Sequence, residues 1–157
     1  MPVLERMAPT MHHHTFAVHY STTAAWELGE ARWAGSLRRL VGGLIAAGAG
    51  DSLIASHSLC LARTSALAGD QAAATGEFAQ ARRDLDASGH LPLRAICDHD
   101  EALMLVRAGE VDAARIGGLL AAAEAAFGML GMAGYRQRAV GLAVPAAGRG
   151  GSAMTTA

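Results

Sequence analysis

The stretch Ala68-Gly69-Asp70-Gln71-Ala72-Ala73-Ala74-Thr75-Gly76-Glu77-Phe78-Ala79-Gln80-Ala81 carries the pattern that decides the fold. A glycine just past a helix can take the left-handed conformation that closes the last turn without a Cβ clash. Beyond it, Ala74, Phe78 and Ala81 follow at steps of four and three, on one face of the next helix. The glycine-acid pair recurs: Leu28-Gly29-Glu30, Ala68-Gly69-Asp70 and Ala108-Gly109-Glu110 stand 40 residues apart, the period of a two-helix repeat. Gly48, Gly89 and Gly131 fall between and after them, giving successive intervals of 19, 21, 20, 20 and 22 residues.

Between these glycines the apolar spacing is helical. Trp33, Leu37, Val41 and Leu44 form one face, Ala74, Phe78, Ala81 and Leu85 a second, and Ile116, Leu120, Ala123 and Phe127 a third. Arg38 and Arg39, or Arg82, Arg83 and Asp86, fall opposite, as on a solvated outer face. Asp51, Asp70 and Asp112 stand where a carboxylate can accept the free amides of a first helical turn, and Pro92 suits a helix start. Stretches alternating apolar with polar are lacking, so the chain reads as all-α. The spacing predicts helices over 20–28, 30–47, 52–68, 71–88, 92–108 and 112–130, with a shorter seventh over 134–143. Residues 1–18 and 144–157 lack a periodic face and read as a disordered N-terminal segment and a flexible tail around a repeat domain over 19–143.

The chain has 157 residues, of which 52% are hydrophobic and 17% charged, enough to bury a core in one soluble domain. All 13 basic residues are arginine. Without lysine there is no Schiff-base nucleophile and no P-loop lysine. A formal net charge of −1 gives no bulk attraction to nucleic acid phosphates. Cys60 and Cys97 form no C-x-x-C pair and read as buried thiols in a reducing compartment. Met1 to Tyr20 does not read as a secretory peptide, and Ile116 to Tyr135 is too rich in alanine and glycine for a membrane span. The expected location is cytoplasmic.

Gly69, Ala74, Phe78 and Ala81 resemble the tetratricopeptide pattern, in which small residues let two helices approach and an aromatic fills the groove between pairs. His90 to Ala139 resembles something narrower. Its segments Asp98-His99-Asp100-Glu101-Ala102, Leu105-Val106-Arg107-Ala108-Gly109 and Leu130-Gly131-Met132-Ala133-Gly134-Tyr135 are similar to the tetratricopeptide-like region near the C-terminus of bacterial signalling ATPases and LuxR-type transcriptional regulators. The resemblance spans roughly residues 20 to 140. It implies six to seven helices in antiparallel hairpins, stacked as a short right-handed superhelix that contacts other domains or proteins. It also implies that the first helix of each pair lines the concave surface, with Arg63, His99 and Arg107 positioned to touch a protein or peptide partner. The family's ATPase activity does not carry over, because no G-x-x-x-x-G-K-[ST] motif occurs, and no helix-turn-helix follows Tyr135.

Two clusters invite chemistry. His12, His13, His14 and His19 could chelate a metal, but adjacent side chains on a mobile terminus hold no fixed geometry. Cys97-Asp98-His99-Asp100-Glu101 packs several potential ligands into little more than one turn, yet neighbouring residues on a helix radiate around its axis, as on a partly exposed repeat surface. Ser56, His57 and Ser58 are adjacent only in sequence, which makes no triad. Gly42-Gly43 and Gly117-Gly118 mark close helix contacts or local fraying. Arginines at 38, 39, 82, 83, 136 and 138 read mainly as solvated charges.

The expectation is a non-enzymatic protein-interaction module, without cofactor, metal, nucleic-acid or membrane partner. The alternatives are a small-ligand sensor enclosing an apolar effector and a metal-dependent enzyme built on Cys97 to Glu101.

Overall fold

The computed structural model describes residues 12–149, with side chains through residue 143. Seven α-helices occur among them: α1 (His12–Leu28), α2 (Ala34–Ala46), α3 (His57–Leu67), α4 (Gln71–Ser88), α5 (Leu91–Arg107), α6 (Ala113–Met129) and α7 (Ala133–Arg149). A 3-10 turn at Ala31–Trp33 leads into α2. Ser52 and Ala55 form an isolated bridge, and no strand occurs among the described residues. The protein is all-α.

Positive φ is confined, among the described residues, to Gly29, Gly48, Gly69, Gly89, Gly109 and Gly131, the six that keep the sequence period. Five of their turns are closed by a pair of backbone hydrogen bonds. At Gly109 the glycine N–H donates to the Val106 carbonyl at 3.1 Å and the Glu110 N–H reaches back to Leu105 at 2.9 Å. The same two-bond closure recurs at Gly29, Gly48, Gly69 and Gly131. The acid that follows a glycine in three of these turns thus supplies a backbone donor.

The apolar faces are placed as the spacing requires. Leu37, Val41 and Leu44, then Ala74, Phe78, Ala81 and Leu85, then Ile116, Leu120, Ala123 and Phe127 are all buried, while Trp33 is half-buried. Asp112 accepts the Arg115 N–H at 2.9 Å and Asp70 the Ala73 N–H at 3.0 Å, as caps should, and Pro92 lies in the first turn of α5.

Three expectations are corrected. The helix expected to begin at residue 20 begins at His12, so 12–18, read as disordered, form the first two turns of α1. Their buried stripe runs through His14, Thr15, Val18, His19 and Thr22, which is helically spaced but mostly polar and so invisible to apolar periodicity. The helix expected over 52–68 begins at His57: Ser56 is its N-cap, accepting the Leu59 N–H at 3.2 Å, Asp51 accepts the His57 N–H of the same first turn at 2.7 Å, and 52–56 is a turn in which the Ser52 N–H donates to the Ala55 carbonyl. The last helix, expected to end at 143, runs to Arg149. The disorder expected for 1–11 and the flexible tail expected at 150–157 lie outside the described residues.

The domain expected over 19–143 divides into two compact units, the first ending at Ala87 and the second starting at Ser88. In the first, α1, α2 and α3 pack on one another around Val18, Val41, Leu44, Ala55 and Cys60. In the second, α6 packs on both α5 and α7. No described helix is long and apolar enough to cross a membrane.

Candidate functional site

In the first unit, α1 directs His19 at the 47–56 turn, while Ser56 starts α3 so that His57 falls in its first turn. The two imidazoles meet edge to face, with centroids 4.8 Å apart. Asp51 Oδ1 accepts the His57 backbone N–H at 2.7 Å and lies 3.1 Å from His57 Nδ1. A carboxylate oxygen only accepts, so His57 Nδ1 carries the proton and shares it with His19 Nε2, 3.2 Å away. His19 Nδ1 then donates to Ser52 Oγ at 2.6 Å, and the Ser52 hydroxyl turns to the Ala55 carbonyl at 3.2 Å. Ser52 in this order receives a hydrogen bond from histidine, the reverse of an activated nucleophile.

The electrostatics agree with neutral rings. Burial, reinforced by the neighbouring His57, pushes His19 down to about 4, and burial also holds His57 below the usual imidazole value, against the pull of Asp51. Nε2 of His57 and both ring nitrogens of His14 are buried with no hydrogen-bond partner among the described residues. Beside the network lies a cavity of about 270 Å³ between the start of α1 and the 47–52 segment, with His12, Thr15, Phe16, Asp51 and Ser52 in its lining.

The second unit holds an apolar groove of about 380 Å³ between α6 and α7. Ala113, Gly117, Leu120 and Ala121 line it from α6, and Ala139 and Ala143 from α7. Glu124, also in the lining, accepts from Arg136 Nη2 at 3.1 Å. Nothing lies within 4 Å of the place a Cβ would take at Gly117 or Gly118, nor at Gly42 or Gly43, so these pairs do not mark close helix contacts.

The residues chosen from sequence as partner contacts separate here. Arg63 is only 2% exposed and donates to Thr23 Oγ1 at 2.8 Å, and His99 is 5% exposed, its ring set edge-on to Phe127. Neither can be a surface anchor; both belong to the interior of their own units. Arg107 alone is exposed.

Cys97, Asp98, His99, Asp100 and Glu101, expected on a partly exposed face, are all buried. Their charges are met inside the unit: Arg94 pairs with Asp98 one turn away, Arg115 Nη2 reaches Glu101 Oε1 at 2.5 Å, and His99 Nδ1 stands 3.2 Å from Asp100 Oδ1. Among the described residues no group of three or more His, Cys, Asp or Glu side chains is placed to hold a metal ion. Arginines read as solvated charges are also engaged. Arg38 Nη2 donates to Glu77 Oε1 at 2.6 Å, its Nη1 donates to Ser65 Oγ at 2.7 Å, and Arg138 lies 5.4 Å over Tyr135.

Sequence reasoning missed the Asp51, Ser52, His19 and His57 network. The available signal was the helical spacing of Thr15, His19, Thr22 and Trp26, a buried face written in polar residues. No family model, curated protein or solved structure matches the chain.

Proposed function

We propose that the chain is a non-enzymatic recognition module of tetratricopeptide-like helical hairpins, which takes an apolar helix of a partner protein along the groove between α6 and α7. The observation that carries this reading is the open apolar channel over Gly117 and Ala121, where the chain's own side chains leave about 380 Å³ unfilled. Small residues on both walls let a partner helix approach closely, and affinity then comes from burial and fit. Kinship with the regulatory region of bacterial signalling ATPases and LuxR-type regulators, and a cytoplasmic setting, belong to the same proposal. In its support, the Leu130-to-Tyr135 motif has a packing reason: Gly131 turns the chain and Tyr135 lays its ring 5.2 Å from Phe127.

Site-specific photocrosslinking in the native host tests it. A benzophenone side chain at position 117 or 121 should give one discrete crosslinked protein, and the same probe at exposed Gly76 on α4 should not. Absence of that species, or equal yield from all three positions, would refute the assignment.

A further inference from the structure

We infer that the cavity beside Asp51 in the first unit is a binding site for a small organic ammonium ion. At about 270 Å³ it falls just below the range of drug-sized pockets, about 300 Å³ upward, which suits a metabolite-sized guest. Its walls divide the chemistry. Phe16, more than a third exposed, offers an aromatic face, and Thr15 offers a hydroxyl. Asp51 brings a formal negative charge with an unused acceptor. Its Oδ1 is occupied by His57, whereas Oδ2 has no hydrogen-bond partner among the described residues.

The sign of the site follows from what surrounds that carboxylate. Burial holds His57 and His19 below the usual imidazole value, and His12 is the titratable group that shares the lining with Asp51. Arg63, whose charge also acts on His19, hydrogen-bonds Thr23 and is not in the lining, which contains no arginine. An anion would meet the carboxylate with repulsion, and a metal ion would lack a ligand set. A primary ammonium can give one proton to Asp51 and another to the Thr15 hydroxyl while its carbon skeleton lies on Phe16, an arrangement that also draws on cation–π attraction.

The test is a titration of the full-length ¹⁵N-labelled chain at pH 7, followed by amide shifts, with three probes that share a phenylethyl skeleton: 2-phenylethylammonium, 2-phenylethanol and 3-phenylpropionate. The ammonium should shift Gly48, Gly50 and Asp51 saturably, and the alcohol and carboxylate should not. Asp51→Asn keeps an acceptor for the His57 N–H and should weaken the ammonium at least tenfold. Equal binding of the alcohol or carboxylate by the wild-type chain, or no saturable shift from any probe, overturns the inference whatever the variant does. The groove on α6 is untouched by this experiment, so its failure and the failure of the recognition reading are separate results.

Discussion

His19 ties stability to acidity. In the unfolded chain an imidazole titrates near 6.5, and in the fold burial lowers His19 to about 4. The folded state therefore binds the proton less readily than the unfolded state, and stability is intact above pH 6.5 and drains away as pH falls towards 4. From about 1.4 kcal/mol per pKa unit the loss is on the order of 3 kcal/mol, with His57 acting in the same direction. Urea unfolding monitored by circular dichroism should show the midpoint falling through that window, and His19→Gln should flatten the fall even though it lowers the plateau. A second residue test lies in the other unit. Arg115 meets the buried Glu101 carboxylate, so Arg115→Met should cost about 1–3 kcal/mol, whereas Arg138→Met, at an exposed position over Tyr135, should cost under about 0.5 kcal/mol. Equal urea midpoints for the two variants would show that the Glu101 contact adds nothing.

Glycine has opposite meanings in these helices, and the element is the scale at which they separate. Gly109 holds φ at +75° in the turn after α5, a conformation that costs an alanine about 1 kcal/mol or more, so Gly109→Ala should lower the unfolding free energy. Gly117 lies inside α6 with open space at its Cβ position, and Gly117→Ala should raise stability by up to about 1 kcal/mol. Differential scanning calorimetry should move the two transitions in opposite directions. That contrast also explains what could be read from sequence. The period of the turn glycines and the apolar steps from Ala74 to Leu85 placed α4 at its observed bounds, because there pattern and packing agree. The start of α1 was illegible because its buried face is polar, and the start of α3 because Ser52 and Ala55 tie the preceding residues into a turn. On α5, Asp98 to Glu101 looked like surface because nothing local reveals that Glu101 finds its cation fourteen residues away on α6.

At the scale of the whole molecule, each unit places its conspicuous features differently: the first encloses a polar network beside a cavity, and the second leaves an apolar groove open between two helices. Each also contains one reduced cysteine, Cys60 in the first unit and Cys97 in the second, both fully buried. Burial pushes the Cys60 thiol up to about 12, against the nearby Arg63 charge and a hydrogen bond with Thr22. Only a thiolate attacks a disulfide reagent, so both reach and reactivity are withheld in the fold. A single-cysteine variant, Cys97→Ser, should therefore resist an aromatic disulfide reagent at pH 8 while folded and react fully in concentrated urea. Raising the pH from 8 to 9 increases the thiolate fraction of an ordinary exposed thiol severalfold, because that group titrates near 8.5. In the folded variant the same step should increase labelling only in proportion to the unfolded fraction and its thiolate content. Prompt stoichiometric labelling in native buffer would mean that the Val18, Val41 and Leu44 core does not close over Cys60, and the polar network and cavity built against that core would lose their support.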